Sequence, residues 1–287
     1  MKNYVFGDTG GHMKPLYASL HALGIDTFNG TIPEGIRIIH LGDLIHKGPH
    51  SSVLLEQVDR LIRNNPGQWV QMLGNHEFQH IQGSPYFWQC SCSFDDVTII
   101  NDWHEEGLAF ATFGIDSYKT DTIVLEESAR KAIPRPETGI FFSHAGLSKP
   151  WWDTFGRIES PSQLSKVLNK QPVKTITLPG QMLNVFNTLP GPVWAIGNSE
   201  VFDTWHEGDQ VDMPFLQMHG HTTSYQWNTN RWWRNDKAFR MFRDNTKLNP
   251  KTRAVITKTA NNLLIGLDPG YAATANTKEQ PYLYFES

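Results

Sequence analysis

The sequence predicts an α/β fold built on a parallel sheet, and three observations lead there. Short apolar runs at residues 3–6, 36–41 and 69–73 have the length and β-branched content of buried strands. Leucines at helical spacing follow the first two runs, over residues 15–23 and 51–64. Each run ends in a polar loop that begins with glycine: GDTGGH from Gly7, GDLIHKGP from Gly42 and GNHE from Gly74. Repeated strand–loop–helix passes make a parallel sheet through right-handed crossovers, so the three loops share one edge. In open α/β sheets that edge is where ligands bind.

In chain order, residues 3–6 form a first short strand that presents Asp8, with Gly7, Gly10 and Gly11 allowing tight turns. A helix over 15–23 uses Leu16, Leu20 and Leu23 and stops at Gly24. After a loop at 25–35, the strand 36–41 (IRIIHL) delivers Asp43. A helix over 51–64 puts Leu54, Leu55, Val58, Leu61 and Ile62 on one side. The strand 69–73 (WVQML) then delivers Asn75, His76 and Glu77. Residues 78–135 are rich in Trp and Phe and read as partly helical, with a helix at 123–132 stopped by Pro134. They form either a cap over the site or a helical layer. A strand at 139–143 (GIFFS) ends at His144, and residues 149–192 read as an insertion with short helices. Further strands at 215–218, 262–267 and 282–285 follow. The first ends at His219-Gly220-His221-Thr222 and the second at the turn Asp268-Pro269-Gly270.

Composition narrows the function classes. A chain of 287 residues can bury a large core as one α/β domain or two smaller ones. A net charge of −4 argues against a general nucleic-acid binder. No run approaches the roughly 20 apolar residues of a membrane span, and the N-terminus enters a strand without a signal-peptide pattern. A cytoplasmic protein with no membrane partner is therefore expected. Ten tryptophans imply large packed aromatic surfaces or a stacking site. Cys90 and Cys92 are too close for an unstrained disulfide, and no other cysteine completes a thiolate zinc site, so two reduced thiols are expected.

The strand ends carry Asp8, Asp43, Asn75 with His76, His144, and His221. Strands about 4.8 Å apart bring such side chains within a few ångströms of one another. Carboxylate, amide and imidazole donors together suit Mn, Fe, Zn or similar ions. Taken singly, each has a structural explanation: GNHE as a polar turn, Asp8 as a turn residue, His144 as a satisfied core histidine. Five strand ends bearing them point to a metal centre.

In this order, the blocks GDTGGH, GDLIHKGP, GNHE, HAGL and GHTT resemble the calcineurin-like metallophosphoesterase superfamily. The resemblance is nearest to the branch of the phosphoprotein phosphatases and bacterial diadenosine tetraphosphatases. The blocks span residues 7–222, and the turn at Asp268 also fits. The resemblance implies two packed mixed β-sheets flanked by helices, a four-layer α/β/β/α sandwich. It also implies one domain over 1–287, with cap or insertion segments at 78–135 and 149–192. Two divalent ions (Mn, Fe, Zn, Ni or Mg) are implied, with Asp43 bridging them, Asp8 on the first, and Asn75, His144 and His221 on the second. Metal-bound hydroxide would attack a phosphomonoester or phosphoanhydride, and His76 would donate a proton to the leaving oxygen. Lys47 stands where the family has arginine and would hold a phosphate oxygen. Phosphorylated small molecules, nucleotides and phosphoproteins are the implied substrates.

Two positions depart from the family pattern. Gly10 stands where the first block has a histidine ligand, and His46 where the second has the aspartate that orients the proton donor. The expectation is that His46 swings to the first ion and replaces the lost ligand, with His12 and His219 as other candidates. The alternative is a weakened binding protein that keeps one metal site. Two further groups stay open. Arg231-Trp232-Trp233-Arg234 either stacks a nucleobase or is a tryptophan pair packed under a loop. Glu77 either stands behind the site or caps a helix start.

Overall fold

The structure is a computed structural model and describes residues 1–89, 92–119, 121–123, 139–181, 189–206, 212–270 and 274–287. Successive side chains of a strand point to opposite faces. In β1 (Lys2–Phe6), β2 (Ile36–His40) and β3 (Trp69–Met72), both faces near the centre are apolar and buried. Phe6, Ile38 and Trp69 pack under helices, whereas Val5, Ile39 and Val70 belong to a separate cluster shared with a second sheet.

The first sheet has the order β13–β1–β2–β3–β4, where β4 is Ala109–Phe110 and β13 is Tyr282–Glu286. Its β1, β2, β3 and β4 run parallel, and β13 closes the edge antiparallel. In the second sheet, β6 (Ile140–Ser143), β7 (Leu216–His219) and β12 (Leu263–Gly266) are parallel. Around them stand the antiparallel strands β5 (Thr112–Ile115), β11 (Ala254–Lys258) and β10 (Thr246–Asn249). A short hairpin, β8 (Tyr225–Gln226) and β9 (Arg231–Trp232), stands apart from both sheets. Ile140, Phe142, Leu216, Met218 and Ile265 meet the inner face of the first sheet. Each such side chain, fully buried, contributes about 1.5–3 kcal/mol.

Helices α1 (Met13–Ala22) and α2 (Ser51–Asn64) cover the outer face of the first sheet. On the second sheet, Phe141, Val255 and Leu264 join the helical segments Pro161–Leu168, Phe202–His206 and Lys237–Asp244 in one cluster. The layers therefore run α/β/β/α, as the resemblance implies.

The expected elements and the observed ones agree closely at the N-terminal end. α2 has the predicted bounds and buries the five predicted side chains. α1 starts earlier, at Met13, because its first turn tolerates Pro15. Residues 78–135 differ more. α3 (Asn75–Phe78) is followed by α4 (Phe94–Glu105), whose Ser93 cap exchanges hydrogen bonds with Asp96. Beyond α4 the chain enters the sheets as β4 and β5, so part of the expected cap is sheet. Of the helix expected at 123–132, all but Ile123 lies outside the described residues.

Candidate metal centre

The loops after β1 and β2 interlock through backbone bonds. Thr9 N and Gly10 N both donate to Asp43 O, at 3.1 and 2.8 Å, and Gly48 N donates to Gly10 O at 2.7 Å. Among the described residues seven non-glycines have positive φ, and four of them are Asp43 (51°), His46 (69°), Lys47 (60°) and His221 (61°). Such conformations cost about 1–3 kcal/mol each and persist where surrounding structure fixes them, typically at sites. Gly74, before α3, lets the third loop close onto the second: a Cβ there would overlap Asp43 Oδ1 and Asp43 N.

Glu77 fastens these loops. Its buried carboxylate accepts from Gly74 N (2.8 Å), Asp43 N (2.9 Å), Leu44 N (2.9 Å) and Ile45 N (3.2 Å). It thus caps α3 and stands behind the site at once, which resolves the two sequence alternatives together. The sequence signal for it is a Glu three residues after the helix start. Behind Asp8 lies a further polar chain, Gln280–Thr9–His40–Gln71, linked at 2.9, 2.9 and 3.2 Å. Gln280 carries no local signal, because it reaches Thr9 from the far end of the sequence.

Four of the expected donors converge. Asn75 Oδ1 lies 3.0 Å from His144 Nε2 and 3.1 Å from His221 Nδ1, and His144 Nε2 lies 3.3 Å from Asp43 Oδ1. The donor set tests whether a cation fits, since ligand atoms of Asp43, His144 and His221 all lie within 4.8 Å of one another. Hydrogen bonding alone would turn Asn75 over, so that its nitrogen donated to His221 Nδ1 at 3.1 Å and His144 Nε2 at 3.0 Å. With its oxygen toward those nitrogens, the amide presents a lone pair to the point they share, which suits a cation. Two oxygens and two ring nitrogens form a mixed donor set that borderline divalent ions accept.

The electrostatics agree. Burial opposes ionisation of Asp43, but the imidazoles of His144, His76 and His221 outweigh it and hold the carboxyl below the usual range. Burial also pushes His221 down to about 3, leaving the neutral ring that metal ligation needs. Asp8 is different. Burial, then the carboxylates of Asp268 and Asp43, push it well above the ordinary value. Those are like charges crowded together in one buried region.

Asp8 sits beside the four rather than among them, accepting from His221 N at 3.1 and 3.2 Å. Among the described residues, no third His, Cys, Asp or Glu ligand atom gathers with Asp8 and Asp43 within 4.8 Å. The three histidines considered for the place left by Gly10 are engaged elsewhere or stand apart. His46 sends Nδ1 to His76 Nδ1 at 2.6 Å and Nε2 toward His80 and Cys92. His219 donates from Nδ1 to Gly220 O at 2.8 Å, and His12 stands at the start of α1. His76 donates its backbone N–H to Asp43 Oδ1 at 3.1 Å, and its ring Nε2 lies 3.8 Å from Asp43 Oδ2. An imidazole, His46, thus stands behind it where the resemblance has a carboxylate.

Above the site opens a cavity of about 790 Å³, lined by Lys47, His221, Trp233 and Arg234 among others. The Lys47 ammonium rests 3.1 Å from the centre of the Trp88 ring, a cation–π contact. The Trp232–Trp233 pair is split. Trp232 packs against Tyr225 and Phe239 at 5.2 and 5.9 Å, whereas Trp233 is 63% exposed at the cavity wall. Among the described residues, no helix is long and apolar enough to cross a membrane.

Comparison with known proteins gives a family. The profile described as Calcineurin-like phosphoesterase matches residues 1–263. An uncharacterized protein of Schizosaccharomyces pombe is 26% identical over an alignment 179 positions long, which covers 57% of this chain and 47% of that protein. The chain spans about half the length of that curated relative. A solved cold-active protein tyrosine phosphatase is similar with a TM-score of 0.45 and 15% identity, over 96% of this chain and 71% of that one. The cold-active protein tyrosine phosphatase of a psychrophilic Shewanella species has a TM-score of 0.41 and 15% identity, over 100% and 80%. With its family profile matched over nearly the whole length, the chain belongs to the calcineurin-like phosphoesterase family.

Proposed function

We propose that the protein is a metal-dependent hydrolase of a phosphomonoester or phosphoanhydride. The observation that carries this reading is the convergence of Asp43, Asn75, His144 and His221 on one buried point. Divalent ions bound by these residues and Asp8 would lower the pKa of a water and draw charge from a phosphoryl oxygen. The chain's own groups do the rest. Lys47 and Arg234 bring positive charge to the cavity wall for a phosphate. His76 Nε2 faces Asp43 and is placed to hand a proton to a leaving oxygen. Glu77 and the interlocked loops hold these groups in place. Both sheets share one inner layer, which supports reading residues 1–287 as one domain.

The test is release of phosphate from an aryl phosphate by metal-stripped protein reloaded with Mn, Ni, Zn or Mg. Metal-stimulated turnover is expected, and Asp43→Asn should lower it at least about a hundredfold. Turnover indifferent to all four metals, or unchanged by Asp43→Asn, overturns the reading.

One observation favours a second reading, a binding protein with a single ion: no compact ligand set surrounds Asp8 among the described residues. Ion counting in a variant with both cysteines replaced by serine separates the two readings. Two ions per chain support the hydrolase, and one supports the binder.

A further inference from the structure

We propose that His46, His80 and Cys92 form a separate metal site for a thiophilic divalent cation such as Zn²⁺. One donor atom from each lies within 4.8 Å of the others. His46 Nε2 is 3.4 Å from His80 Nε2 and 3.4 Å from Cys92 Sγ. Bonds of about 2.0–2.1 Å to nitrogen and about 2.3 Å to sulfur, at tetrahedral angles, put such donors about 3.3–3.6 Å apart. The two distances from His46 Nε2, 3.4 Å each, fall in that range, and the third pair lies within 4.8 Å. Hydrogen bonding accounts for this spacing poorly. One ring nitrogen faces two partners and carries at most one proton, and 3.4 Å is long for a bond between nitrogens.

Three structural elements hold the donors. His46 comes from the loop after β2, where its backbone N–H donates to Ser51 Oγ at 2.9 Å. His80 follows α3, and Cys92 precedes the Ser93 cap of α4. His46 and Cys92 line a cavity of about 360 Å³ with Lys47, Ser52 and Trp88, so an ion has a way in and a fourth position for solvent. A thiolate with two imidazoles suits borderline and soft ions better than Mg²⁺ or Mn²⁺, which distinguishes this site from the Asp43 centre. Binding exchanges the thiol proton of Cys92 for the ion.

The site also bears on His76, a link that rests on the hydrolase reading. An ion on His46 Nε2 leaves the ring's one proton on Nδ1, 2.6 Å from His76 Nδ1. His46 then donates and His76 accepts, so the proton of His76 resides on Nε2, the nitrogen facing Asp43. His46 is a positioning residue here, and the ion fixes its tautomer.

The experiment titrates metal-stripped protein with Co²⁺ and follows its near-ultraviolet absorption. A thiolate-to-Co²⁺ charge-transfer band requires a sulfur ligand, and the Asp43 centre offers none. The band is expected in the wild type, bleached by added Zn²⁺ and lost in Cys92→Ser. It should persist in Asp43→Asn and in Cys90→Ser, Cys90 lying outside the described residues. His80→Ala should weaken Co²⁺ binding at least about tenfold. No band in the wild type, a band surviving Cys92→Ser, or a band lost only in Cys90→Ser overturns the site. Circular dichroism checks that Cys92→Ser, a change at a half-buried position, folds as the wild type does. Absorption is read without turnover, so a failure of this site and a failure of the hydrolase reading show separately.

Discussion

Glu77 shows how one buried side chain can govern a site without facing the substrate. Both of its oxygens accept backbone N–H bonds, three of the four from the loop that aims Asp43. Glu77→Gln replaces one acceptor oxygen by an NH₂ group that faces N–H donors. A buried donor left unsatisfied costs about 1–3 kcal/mol, so denaturant unfolding of the metal-free variant should show that loss. Mn²⁺ affinity should fall with it, because the Asp43 loop is released; unchanged affinity would show that the loop holds without Glu77. At this scale the sequence was informative where chemistry and strand ends coincide. Asp8, Asp43, Asn75, His144 and His221 each stand within three residues of the end of an apolar run. His80 and Cys92 gave no such signal. Their meeting with His46 joins residues far apart in sequence, residues 78–93 have no period to read, and a cysteine two residues from another suggests no histidine partners.

At the scale of elements, the site depends on three loops fitting against one another. Gly74 has an ordinary extended backbone, φ −84°, so its requirement is space alone. Gly74→Ala drives a methyl into Asp43 Oδ1 and Asp43 N. Overpacking of this kind costs about 1–3 kcal/mol and here also moves a metal ligand. The variant should melt lower and bind Mn²⁺ at least about tenfold more weakly. Gly67→Ala is the contrast: its φ is +77° and nothing lies within 4 Å of the added carbon, so it should lose stability and keep metal affinity. Elements were legible in proportion to their length and periodicity. α2 runs 14 residues with five buried side chains on one face, and its bounds follow from the pattern alone. β4 has two residues and β10 is half exposed at a sheet edge, so neither carries an alternation that marks a strand.

Across the whole molecule, β1, β2 and β12 from two sheets deliver Asp8, Asp43 and Asp268 into one buried region. Burial and like charge raise the pKa of Asp8 in the folded, metal-free chain. A group raised on folding stabilises at low pH. That stability is lost as pH rises from the unfolded value, about 3.9 for Asp, through the folded one. Asp8→Asn should therefore gain stability relative to metal-free wild type as pH rises across that window. The difference cancels the buried histidines, which titrate alike in both. Saturating Mn²⁺ should reverse the order, since asparagine supplies no charge to the ion. Melting temperatures of the two proteins across pH, with and without Mn²⁺, check this; a constant difference would mean that Asp8 does not titrate there. The two-sheet architecture was legible only through the order of the motif blocks. Periodicity alone predicted the parallel half, because the pairing of β5, β10 and β11 is antiparallel and distant in sequence.

The placement of His46 against His76 has an electrostatic consequence. A ring that carries no charge stands where the resemblance puts an anion, so the pocket holds one negative charge fewer. Two unit charges about 4 Å apart interact by about 4 kcal/mol at an effective dielectric of about 20, so a missing like charge eases a phosphate's approach by up to that order. The fold thereby makes the interior more hospitable to polyanions, and the gain comes from a residue that need never touch them.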